Sequence, residues 1–141
     1  MVEPLAPAYV SDVSSQIGSL SAFLGGFAAT FVATLLTIQR ADRLLTATIT
    51  LAVTSAVGFI IAVTASTMQV AIHHPEGPSF LSSFPDARIR TTMLFAFLTG
   101  ALTLLGALGC SGWIRSRQIG WITTALSGFG AAMIVVLTLL N

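Results

Sequence analysis

Lysine is missing from this chain altogether, and its six basic residues are all arginine. Acids are as scarce, at five, so charged side chains make up 8% of the 141 residues. A water-soluble domain carries about 25%. A chain this poor in charge cannot cover a water-facing surface, and with 55% hydrophobic residues its solvent is expected to be lipid over most of its length. The net charge of +1 gives no electrostatic grip on nucleic acid, so no nucleic-acid partner is expected. Cys110 is the single cysteine, which excludes an internal disulfide and Cys-x-x-Cys redox chemistry. It sits among Gly106, Gly109 and Gly112 and reads as a small residue at a packed helix contact. The first residues, MVEPLAPAYVSDVSSQIG, lack the Lys or Arg of a cleavable leader, so the first apolar segment reads as a retained transmembrane helix.

Long apolar runs are what the chain has in quantity. A bilayer-spanning helix needs about 20 predominantly apolar residues. The segments 17–38, 44–72, 91–114 and 119–140 satisfy this, with no Asp, Glu, Lys, Arg or His in their interiors. Only helices and closed barrels satisfy their backbone in lipid, and the strict alternation of barrel strands is absent. The expected fold is therefore all-α: a single integral membrane domain over 1–141, with four transmembrane helices arranged as two antiparallel hairpins and an external crossing at 73–90. The short connections QRADR and RSRQ hold Arg40, Arg43, Arg115 and Arg117, against only Arg88 and Arg90 on the other side. That excess places the short loops in the cytoplasm and both termini outside, in a cell (inner) membrane. Trp113 and Trp121 flank the third connection, as interfacial tryptophans do.

Helices in lipid associate through close backbone approach and polar contacts, and small residues four apart make a groove for this. The four segments offer Gly25-Ala29-Ala33-Thr37 with Gly26 and Thr30 alongside, Thr50-Thr54-Gly58-Ala62-Ser66, Thr99-Thr103-Ala107-Ser111 and Gly120-Thr124-Gly128-Ala132. Gly25, Gly26, Gly58 and Gly128 are accordingly expected at helix–helix contacts, within and between copies of the chain. The threonines admit two readings: a hydroxyl can bond the carbonyl one turn back, or it can line a wet path.

The one polar stretch is the crossing, AIHHPEGPSFLSSFPDARIR, from Ala71 to Arg90. It holds both histidines, and Pro75 after His74 is a helix stop. His73, His74, Glu76 and Asp86 are the candidates for ligand binding or pH sensing. Adjacent residues on a helix point about 100° apart, and no metal-ligand spacing of known type appears, so no metal is expected. Phe80, Leu81 and Phe84 are expected to anchor the stretch in the headgroup layer. Ser83-Phe84-Pro85-Asp86 reads as a helix start, with Arg88 and Arg90 following it in reach of lipid phosphates.

The residues SSQIGSLSAFLGGFAATFVATLL, a short polar turn, and then LLTATITLAVTSAVGFIIAVTAST resemble the first two spans of Orai-type calcium channels, over Ser14 to Thr67. Those channels also begin with paired serines, carry a Ser-rich first helix bearing Gly-Phe-Ala, and have four spans per subunit. The resemblance implies a pore-like assembly with the first helix inside. Laying Gly26-Phe27-Ala28 on the family's Gly-Phe-Ala puts Thr34 at the place of the calcium-selective glutamate and Thr30 at that of the hydrophobic gate. The orientation drawn from the arginines is also opposite, so calcium selectivity is not implied.

The expected function is a non-enzymatic homo-oligomeric assembly in the lipid bilayer, a pore or ion channel with Thr30, Thr34 and Thr37 as pore-lining candidates and no cofactor. The alternative is a structural or assembly subunit of a larger membrane complex, with other membrane subunits as partners. Coupled carriers commonly keep an ionisable residue within the membrane, and the spans have none. An enzyme would have to use His73, His74, Glu76, Asp86, Arg88 and Arg90, which no motif orders.

Overall fold

The computed structural model describes residues 7–39, 42–73 and 85–140. It is all-α, with α1 at Pro7–Leu36, α2 at Arg43–His73, α3 at Asp86–Arg115 and α4 at Arg117–Leu139. All four are long and apolar enough to cross a membrane. At ~1.5 Å per residue, the 30 residues of α1 reach ~45 Å and the 23 of α4 ~35 Å, against a hydrocarbon core of ~30 Å. The helix α1 begins ten residues before the apolar run, because Pro7 is well placed at a first helical position and the polar stretch Ser11–Gln16 continues the same turn geometry.

The start of α3 falls at Asp86, behind Pro85 in extended conformation. The turn between α3 and α4 is a single residue. Ser116 lies in extended conformation, ends α3 through its N–H to the Gly112 carbonyl, and caps α4 by accepting from the Ile119 N–H at 3.3 Å.

The helices pack in chain order: α1 on α2, α2 on α3, α3 on α4, with only slight contact between α1 and α3 and none between α1 and α4. Neighbours run antiparallel. Gly18 faces Ser66 and Gly25 faces Phe59, Gly58 faces Gly100 and Gly106 faces Leu51, and Gly109 faces Ser127 while Gly120 faces Trp113. The middle pair, α2 with α3, is packed as extensively as α1 with α2. The described helices thus form a curled layer in chain order, in which Ile17 of α1 and Leu137 and Thr138 of α4 line one cavity of about 580 Å³ against α3.

The residues buried along α2 explain this arrangement. Leu45, Thr48, Ala52, Ser55, Phe59, Ala62, Ser66 and Gln69 are all buried, and they recur at alternating steps of three and four. That 3.5-residue repeat keeps one seam facing a long, nearly antiparallel neighbour. On α1 the buried residues Ser14, Ser21, Ala28 and Leu35 keep the same seven-residue repeat. Ladders of small residues spaced strictly by four do not follow the seam, because each step of four advances about 40° around the helix. Gly58, Ala62 and Ser66 are buried, yet Thr50 and Thr54 of the same ladder are exposed. On α1, Ala29, Ala33 and Thr37 are exposed, and on α4 so are Thr124, Gly128 and Ala132.

At the centre Phe59 is fully buried, edge-on to Phe97 at 6.0 Å between ring centroids. It lies in a notch left by Gly100, where an added Cβ would come within 3.1 Å of its ring. A Cβ on Gly58 would meet the Gly100 backbone at 3.1 Å. Here α2 and α3 approach closely enough for Ser55 Oγ to donate to the Gly100 carbonyl at 2.9 Å.

Candidate functional site

Two places on this layer carry chemistry. The first is the face of α1 turned away from α2. Thr30, Thr34 and Thr37 all lie on it and all are exposed. Their hydroxyls donate to the carbonyls of Gly26 at 2.9 Å, Thr30 at 2.9 Å and Thr34 at 2.7 Å. Each donor is consumed inside its own helix, while each oxygen keeps acceptor capacity. The face therefore offers lone pairs and no charge. It can accept hydrogen bonds from water or coordinate a cation weakly, but it cannot select by charge in the way a carboxylate does. Phe23 stands on the same face with 74% of its surface exposed, and Phe27 stacks on Phe31 at 6.4 Å beside it.

The second place is the end of the layer where α2 stops and α3 starts. Gln69, on the buried seam of α2, has no exposed surface. Its Nε2 donates to Asp86 Oδ1 at 2.5 Å, tying the last turns of α2 to the first turn of α3. Its Oε1 is buried without a hydrogen-bond partner among the described residues. One turn on, His73 Nδ1 lies 2.9 Å from the Gln69 carbonyl. A carbonyl only accepts, so Nδ1 is the donor in this contact. Ser66 is buried one turn before Gln69, and Gly18 of α1 sits so close to it that a Cβ there would overlap the Ser66 hydroxyl.

The structure thus brings Asp86 and His73 to the same residue, Gln69. His74 and Glu76 lie outside the described residues, as do Phe80, Leu81 and Phe84. Among the described residues no group of three or more His, Cys, Asp or Glu side chains is placed to hold a metal. Arg88 and Arg90 are exposed on the first turns of α3.

Of the glycines expected at helix contacts, Gly25 lies against Phe59 and Gly58 against Gly100. Gly26 and Gly128 face outward, and a Cβ added at either would meet nothing within 4 Å among the described residues of this chain.

Gln69 is the residue that sequence reasoning overlooked. A search of the spans for ionisable side chains passes over an amide, and the usable signal was its place three residues after Ser66 on the heptad that also holds Thr48 and Ser55. The opposite end has its own polar tie: Trp113 Nε1 donates to Thr124 Oγ1 at 2.9 Å, and the Trp113 and Trp121 rings lie 5.6 Å apart. Gly120 is required there, since a Cβ would lie 2.6 Å from the Trp113 ring. Comparison of the chain with family models, curated proteins and solved structures returns no match.

Proposed function

We propose that the chain crosses a cell membrane four times and assembles with copies of itself around a pore faced by the first helix, without enzymatic activity. The observation that carries this reading is the uncovered face of α1: Thr30, Thr34 and Thr37 line up on the side that no other helix of the chain contacts. Copies of the chain set radially, with α1 innermost, contact one another flank to flank, and such a heterologous contact closes into a ring when its rotation closes. In such a ring the threonine face turns toward the axis and supplies uncharged oxygen acceptors to a hydrated ion or to water. The resemblance of Ser14–Thr67 to the first spans of Orai-type channels supports the same placement of the first helix, with Thr34 in place of a selective carboxylate. The arginine excess of the two short connections supports an orientation with those connections in the cytoplasm and both termini outside.

The second reading, a structural subunit of a larger complex, is favoured by α4. Its outward face carries Trp121, Leu126, Phe129 and Leu137, all more than 60% exposed, a surface suited to unlike helices as well as to lipid. Particle mass and subunit composition after detergent extraction separate the two. A ring of one subunit supports the pore, and stoichiometric unlike subunits overturn it. In reconstituted vesicles, Thr34→Val should reduce ion flux severalfold with the ring intact. A reporter active only in the cytoplasm, fused after Asn141, should be silent, and a strong signal reverses the orientation.

A further inference from the structure

Between α2 and α3, on the outer face of the layer, runs a groove of about 410 Å³, within the ~300–1,000 Å³ typical of ligand sites. Its walls and floor are Ile60, Ile61, Ala65, Met68 and Ile89, with Thr64 and Thr92 along the rim and Arg88 at one end. The small side chain of Ala65 leaves the groove its depth. Along α2 it extends from Met68 to Ile60, about 12 Å at 1.5 Å per residue. One leaflet of a ~30 Å hydrocarbon core is about 15 Å deep, so the groove matches most of one acyl chain entering from the crossing end. A second, shallower depression of about 330 Å³ lies against it on α3, bounded by Ala87, Arg88, Thr91 and Thr92. The two share Arg88 and Thr92. An apolar channel and a shelf bearing a guanidinium and hydroxyls therefore meet at one arginine, in the first turn of α3, where the helix dipole also favours negative charge.

The carboxylate of Asp86 does not occupy this shelf. It lies about 200° around the helix from Arg88 and is held by Gln69.

We propose that this is a binding site for one anionic phospholipid of the leaflet facing the crossing, with the phosphate on Arg88 and one acyl chain in the α2–α3 groove. The arginine supplies charge-assisted hydrogen bonds to phosphate oxygens, and the isoleucine and methionine walls take the chain. This rests on the membrane-spanning part of the proposed function and is independent of the pore.

The test is native mass spectrometry of the full chain in detergent, titrated with phosphatidylglycerol and separately with phosphatidylcholine. Wild type should retain one phosphatidylglycerol per chain in preference to phosphatidylcholine. Arg88→Gln should weaken phosphatidylglycerol about fivefold and remove the preference. Thr64→Phe, a change at an exposed rim position, should block the channel and weaken both lipids. Arg115→Gln, at the other end of α3, should change neither. The site is overturned if Arg88→Gln keeps the preference, if Thr64→Phe binds as wild type, or if Arg115→Gln has the same effect as Arg88→Gln. Resistance of the wild-type chain to alkaline extraction from membranes tests the spanning reading separately, and its failure leaves a different signature from loss of lipid preference alone.

Discussion

The inner helices and the edge helices of this layer are built from the same apolar residues but differ in what they bury. A third of the most apolar stretch of α2 is buried inside the chain, against 6% of that of α4. The inner pair is defined by small details: a glycine facing a glycine, a phenylalanine in a glycine notch, a serine bonded across to a carbonyl. The edges present long side chains on α4 and threonines on α1. In the lipid solvent proposed for this chain, burial of apolar area would drive association only weakly, and helices would associate through close approach and polar contacts. Residues that look equally greasy in the sequence therefore do different work according to whether a glycine lies opposite them.

The sharpest way to break this contrast is Gly58→Leu. With the Gly100 backbone 3.1 Å from its would-be Cβ, the side chain must force α2 and α3 apart. The expected cost is about 3 kcal/mol or outright loss of the folded chain, read as thermal unfolding in detergent. An unchanged melting temperature would show that the inner seam is not where the stability resides.

A smaller effect is expected where the two inner helices meet at the crossing. Asp86→Ala leaves the buried amide of Gln69 with neither of its groups bonded, at about 2 kcal/mol. Adding Gln69→Leu to that variant should restore much of the loss, because the orphaned polar atoms then go together. If the double variant is less stable than Asp86→Ala alone, Gln69 is held by something other than Asp86.

Ser55→Ala removes one bond between the inner helices, for about 0.6 kcal/mol. The smallest effects belong to the edges. Gly26→Leu and Gly128→Leu should leave the protomer's unfolding midpoint unchanged, since neither glycine has a neighbour within 4 Å, and should alter only the mass of the assembly. A large drop in protomer stability from either one would erase the distinction between core and edge.

The four helices were legible because run length and charge starvation are additive properties that need no partner. The helix start at Asp86 was legible from Pro85 and the acid after it. The contact faces were less so. A ladder of residues four apart looks continuous on paper, but on α2 it leaves the seam toward Thr54 and Thr50, whereas Ser55, Thr48 and Phe59 follow it. The chain-order packing could not be read from the segments at all, because nothing in α1 or α4 alone says which helix each will touch. At the crossing, His73 and Asp86 were candidates from the outset, while the buried amide that joins them was hidden by being neutral.

The chain-order packing has a consequence for how the molecule is made. Substantial contacts link only helices adjacent in sequence, so the contact order is low and no segment must wait for a distant one before it can dock. Helices emerging from the ribosome can pair as they arrive, α2 on α1 and then α3 on α2, in the domain-by-domain manner of growing chains. α4 is the last to emerge, and the single residue Ser116 delivers it directly beside α3. A nascent chain arrested after α3 should already hold the Phe59 core.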